Sequence, residues 1–217
     1  MMRLGLTAGT REGLTVLCIG AHCDDIEIGC GGTILRLAGE CRGAVFHWVV
    51  FSAPEVRATE AQRAAELFVS SSTLQGPHLK AFRDGFMPFE GAAVKEVFEG
   101  LKRSVSPDLI LSHSRRDAHQ DHRLLAELTW NTFRDHLILE YEIPKYDGDL
   151  EQPSVFVPLE ADVCQRKIDY IMETFRSQLG KRWFRRETFL SLMRLRGMEC
   201  NAPSGYAEAF YGRKLVL

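Results

Sequence analysis

Two short stretches gather the side chains best suited to acid–base or metal chemistry. The first is Ala21-His22-Cys23-Asp24-Asp25-Ile26-Glu27, a histidine followed by adjacent carboxylates. The second is Ser114-Arg115-Arg116-Asp117-Ala118-His119-Gln120-Asp121-His122. His22, Asp25 and one histidine of the second stretch would make a three-ligand N,N,O set. Such a set leaves a position open for water, as in catalytic rather than structural zinc sites. Asp24 would then be free to act as a base on the activated water. His119 and His122 are spaced i, i+3 and share a face on a helical first turn. One can ligate while the other polarises a carbonyl or protonates a leaving group; the residues alone do not rank them. The competing reading is bland, since Asp-rich turns after strands commonly cap helices. Two clusters, each following a strand, favour the metal reading.

The elements that must position these residues alternate. Short apolar runs at 14–20, 44–51 and 108–112 read as buried parallel strands. Further strands are expected at 78–82, 137–143 and 154–159. Helical stretches lie at 29–39, 55–69, 91–105, 119–135, 161–177 and 184–197; that at 91–105 is amphipathic, with Val94, Val97, Phe98 and Leu101 at helical spacing. Alternating β and α elements imply a single-domain, Rossmann-like α/β three-layer sandwich with a mainly parallel sheet and right-handed crossovers. Residues 1–13 read as a short lead-in. Ligands of such folds sit at the carboxyl ends of strands, near the point where strand order reverses.

Composition narrows the function classes. The chain has 217 residues, 27 Lys+Arg against 29 Asp+Glu, and a formal charge of −2. That balance argues against a nucleic-acid binder, which needs a basic excess. The basic, aromatic run 181–186 reads as a helix start with snorkelling stems. No apolar run has the ~18 residues of a membrane span. The start lacks the apolar segment of a signal peptide. The six cysteines form no CxxC pair and read as reduced thiols, so a cytoplasmic location is expected. Gly29, Gly31 and Gly32 lack GxGxxG spacing, and a carboxylate pair beside them would repel a pyrophosphate; they read instead as close-packing positions. His47, His78 and His136 read as packed or surface residues; for His113, beside the second cluster, supporting and passive readings are balanced.

Taken together, these residues resemble the LmbE-like, or PIG-L, metal-dependent N-deacetylases. That family's first motif, AHxDDxE followed by GxGGT, is similar to 21–27 and to Gly29-Cys30-Gly31-Gly32-Thr33. Its second, DxHxDH, is similar to 117–122. Weaker likenesses are Arg57 with Glu60 and Ala64, the turn Asp84-Gly85, Arg196-Gly197 and Ala207-Glu208-Ala209-Phe210. The resemblance spans about 14–213. It implies that His22, Asp25 and His122 bind zinc or another divalent metal. It makes Asp24 the general base, His119 a cationic electrophile or acid, and Asp121 its supporting carboxylate. It places Arg57 and Asp84 on the substrate. Cys23 stands where many members carry Pro. The implied reaction is metal-dependent amide hydrolysis, releasing acetate from an N-acetylated amino sugar or small sugar conjugate. The alternative on the same fold is a metal-dependent hydratase or lyase acting on a small carboxylic acid. Family members often form trimers or hexamers, so a homo-oligomer is expected.

Overall fold

A computed structural model describes residues 13–215. The lead-in expected over 1–13 lies outside them except for Gly13. Runs of Val, Ile, Leu and Phe form strands because such residues fit a pleated surface buried on both faces. In chain order these are β1 (Thr15–His22), β2 (Val45–Ser52), β3 (Thr73–Leu79), β4 (Leu109–His113), β5 (Leu137–Tyr141), β6 (Val155–Pro158) and β7 (Ala207–Gly212). The helices are α1 (Asp25–Glu40), α2 (Glu55–Phe68), α3 (Gly91–Ser104), α4 (Gln120–Thr132), α5 (Ala161–Thr174) and α6 (Arg186–Glu199).

One seven-stranded sheet runs β3-β2-β1-β4-β5-β7-β6. The first five strands are parallel, and β7 is antiparallel to both β5 and β6. The period-2 alternation of β1 divides its side chains between two cores. Val16 and Cys18 pack with Ile34, Phe68, Ile168 and Phe189 from α1, α2, α5 and α6. Leu17 and Ile19 pack with Phe98 of α3 and Leu125 of α4 on the other face. The expected three-layer α/β architecture is therefore present. The chain runs outward from β1 to β3, then crosses back to β4. The order reverses between β1 and β4, and this opens a crevice at their carboxyl ends.

Three elements differ from expectation. β3 begins five residues earlier than expected and passes through Gly76-Pro77. A Gly-Pro pair reads as a breaker, but an edge strand accommodates proline because one side needs no ladder donor. α1 starts at Asp25 rather than 29 and is interrupted at Cys30 (φ −143°). β7 contains Glu208, a residue type depleted in strands, and was not expected. The last two are connected. The interruption frees the Gly32 and Thr33 N–H groups, which donate to the Glu208 carboxylate at 2.8 and 2.6 Å. Lys167 Nζ completes the repair, donating to Ile28 O and to Glu208 Oε1, both at 2.6 Å.

Candidate metal centre and active site

β1 ends at His22, and the chain turns directly into α1 at Asp25, so the first motif straddles a strand end and a helix start. β4 ends at His113 on the adjacent parallel strand, and the loop into α4 carries the second motif. The two stretches converge in the crevice. His22 Nδ1 is 3.2 Å from His122 Nε2 and 3.4 Å from Asp25 Oδ2. His122 Nε2 is 3.5 Å from the same oxygen. Tetrahedral zinc with bonds of about 2.0–2.1 Å sets its ligand atoms about 3.3 Å apart, so this triangle fits such an ion.

The outer ring nitrogens explain why the inner ones face inward. His122 Nδ1 lies 2.9 Å from Asp117 Oδ2. His22 Nε2 lies 3.0 Å from Asp84 Oδ1 and 3.3 Å from Asp121 Oδ2. A ring N–H given to a carboxylate leaves the opposite nitrogen's lone pair for a cation. Burial pushes the His22 pKa down, but Asp25, with hydrogen bonds to Asp121 and Asp84, carries it well above the usual value. Burial likewise works to raise Asp25, and His122, His113 and His22 overcome it and hold the carboxylate ionised. The pocket favours positive charge at its centre. His119 also comes within ligand range: donor atoms of His22, His119 and His122, and of His22, Asp84, His119 and Asp121, lie within 4.8 Å of one another.

Asp24 is buried beside this set. Its Oδ1 accepts from Arg57 Nη2 at 2.5 Å, whereas its Oδ2 has no hydrogen-bond partner among the described residues. Burial raises its pKa, Arg57 opposes this and Asp25 adds to it. Glu27 is fully buried with neither oxygen partnered among the described residues, and burial drives its pKa well up. Arg57, expected on the substrate, is thus engaged with Asp24. Asp84, also expected there, meets His22, which draws its pKa down to about 2.

Two expectations for α4 need correction. Asp121 was expected to support His119 through its carboxylate. That carboxylate instead reaches His22 and accepts from the N–H groups of Gly85 (2.7 Å) and Met87 (3.2 Å). The hydrogen bond between the two residues runs from the backbone N–H of Asp121 to His119 Nδ1 at 3.3 Å, as a helix-start bond. His119 was also expected to be cationic. Burial, then the imidazoles of His122 and His22, lower its pKa, and Asp121 and Asp25 oppose this without prevailing. With Nδ1 accepting, the proton of the neutral ring sits on Nε2.

Asp117 opens the second motif and faces both of its histidines. Its Oδ1 accepts the His119 N–H at 2.8 Å, while its Oδ2 faces His122. His113 is fully buried; its Nε2 accepts the Ala21 N–H at 2.9 Å and lies 3.2 Å from Asp25 Oδ2. Tyr141, at the end of β5, donates its hydroxyl to Ile19 O at 2.6 Å. A Cβ on Gly29 would overlap the Tyr141 ring, so glycine there lets α1 lie against this wall. His113 directly follows the strand expected over 108–112, whereas Tyr141 lay inside the strand expected over 137–143 and carried no signal until β5 was seen to end there.

Comparison with known proteins follows the same outline. The family model described as PIG-L: GlcNAc-PI de-N-acetylase matches residues 17–133, which include both motifs. Among solved structures, the chain is similar to the N,N'-diacetylchitobiose deacetylase of Pyrococcus horikoshii, with TM-score 0.72 and 20% identity over 92% of this chain and 83% of that one. It is similar to the 4-carboxy-2-hydroxymuconate hydratase of Pseudomonas putida, with TM-score 0.71 and 18% identity over 94% and 98%. It is also similar to a teicoplanin deacetylase in its zinc-inhibited form, with TM-score 0.68 and 13% identity over 91% and 97%. At these identities the likeness establishes the fold. With more than half its length matched by the family model, the chain belongs to the PIG-L (LmbE-like) family.

Proposed function

We propose that the protein is a zinc-dependent hydrolase that removes the acetyl group of an N-acetylated amino sugar or small sugar conjugate. The observation that carries this reading is the triangle of His22 Nδ1, Asp25 Oδ2 and His122 Nε2, with the unpartnered Asp24 Oδ2 beside it. Zinc held by those three residues would supply a Lewis acid that activates water and polarises the amide carbonyl. Asp24 Oδ2 accepts the proton of the attacking water while Arg57 fixes Oδ1. The neutral Nε2–H of His119 donates to the carbonyl oxygen as negative charge develops there. Asp24 then returns its proton to the leaving nitrogen, so one carboxyl serves as base and then acid. Asp121 and Asp84 hold His22 in its ligating tautomer, and Asp84 borders the substrate. Two of the similar structures are, by their names, an N,N'-diacetylchitobiose deacetylase and a teicoplanin deacetylase, and this likeness supports deacetylation. Six free thiols fit a reducing cytoplasm, and we place the chain there as a homo-oligomer.

Acetate release from a panel of N-acetylated sugars, free, nucleotide-linked and glycosidic, tests the reading. Metal-dependent release supports it. A zinc-loaded protein that releases no acetate but adds water across an unsaturated carboxylic acid would replace it with the hydratase chemistry of the similar Pseudomonas putida enzyme.

A further inference from the structure

Lys145 lies in the loop after β5, 23 residues beyond His122 in sequence. Its side chain is 11% exposed. Its Nζ stands 3.0 Å from Asp117 Oδ2 and 2.5 Å from Asp149 Oδ2, and donates to Ile143 O at 3.4 Å. Asp117 is the carboxylate behind His122, and it is itself buried at 5% exposure. A buried carboxylate facing a single neutral imidazole is costly unless a cation compensates it. The neighbouring arginines are turned elsewhere. Arg116 pairs with Glu151, and Arg123 donates to the backbone oxygens of Asp117 and Ala118. Among the described residues Lys145 is the side-chain cation on the Asp117 carboxylate.

We infer that Lys145 is a positioning residue that acts through Asp117 to keep the His122 ring aimed at the metal centre. It holds Asp117 Oδ2 on His122 Nδ1, so that Nε2 stays turned inward. The same carboxylate grips the His119 backbone N–H, so Lys145 steadies both histidines of the motif. Asp149, which accepts from Lys145 and from the Ala118 N–H (2.6 Å), only ties the loop down. This inference rests on the reading of His122 as a metal ligand, and the test separates the two.

The experiment measures zinc affinity by chelator competition for wild type, Lys145→Met, Lys145→Arg, Asp149→Asn and Asp117→Asn. Long-range ¹H–¹⁵N spectra of the metal-free proteins report the His122 tautomer in parallel. Lys145→Met is expected to weaken zinc binding about tenfold and to release His122 from a single Nδ1–H tautomer. Lys145→Arg should restore both, and Asp149→Asn should leave both near wild type. In an Asp117→Asn background, Lys145→Met should add nothing further, because the two act in series. A Lys145→Met protein with wild-type zinc affinity and His122 tautomer would overturn the inference, as would equal losses in Asp149→Asn. Should Lys145→Met fail to fold, Lys145→Gln carries the same expectations. If wild type binds no zinc, the metal reading fails, and the tautomer spectra still decide whether Lys145 orients His122.

Discussion

The molecule buries charge in two regions, and it treats that charge differently in each. On the side of β7, α5 and α6, charges are matched pair by pair. Lys167 meets Glu208 at 2.6 Å, and Arg196 meets Glu142 at 2.6 Å. Their remaining polar atoms are also used: Glu208 takes the N–H groups freed by the interrupted α1, and Arg196 reaches Glu199 and Glu151 O. In the crevice between β1 and β4 the matching is incomplete, although Arg57 meets Asp24 and Lys145 meets Asp117. Asp24 and Asp25 are adjacent, Glu27 has no hydrogen-bond partner among the described residues, and the His22 and His122 ring nitrogens face each other across 3.2 Å. Local satisfaction marks a group that holds the fold together; crowded, incompletely paired charge marks a candidate functional site.

Substitutions can break this contrast in order of expected size. His122→Ala should abolish both zinc binding and acetate release, because a two-ligand remnant lacks the donor set of a catalytic zinc site; metal analysis of the purified variant checks it. In the paired region, Lys167→Met strands Glu208 without its cation in a buried setting. It should cost about 3–5 kcal/mol of stability, read by denaturant unfolding, while the folded fraction keeps its zinc affinity. A loss of zinc affinity equal to that of His122→Ala would erase the distinction between the regions. A subtler test uses pH. Burial raises the Asp24 pKa, so the base is protonated at a higher pH than an ordinary carboxylate, and kcat/KM should fall as pH drops through that raised value. Arg57 opposes the rise, so Arg57→Gln should move the acid limb of the kcat/KM profile to still higher pH. A limb that stayed in place would remove Arg57 as the partner that tunes Asp24.

How much of this was legible in the sequence depends on how local each signal is. Apart from the edge strand β3, the parallel half was readable because its strands are apolar runs, and because His22 ends β1 and the 117–122 stretch lies in the loop after β4. Both facts are visible in a window of ten residues. β7 was not readable, since Glu208 belongs in a strand only once Lys167 and the broken α1 are packed around it. The partners of Asp121 were hidden for a related reason. The first turn of α4 directs its carboxylate to the backbone of Gly85 and Met87, more than thirty positions away. Lys145 gave no signal at all, because a lysine in a polar loop is ordinary until the fold places it on Asp117. Spacing flagged the two clusters, the family resemblance proposed His22, Asp25 and His122 within them, and tertiary contact alone revealed Lys145 behind Asp117.

The central claim is that the crevice separates metal holding from proton transfer, with Asp24 assigned only to the second. The most direct measurement is zinc content and acetate release, made side by side on wild type and Asp24→Ala. One zinc bound by both proteins, with release in the variant reduced by about 10²- to 10⁴-fold, is the predicted result. Loss of zinc from Asp24→Ala, or release at the wild-type rate, would contradict the account.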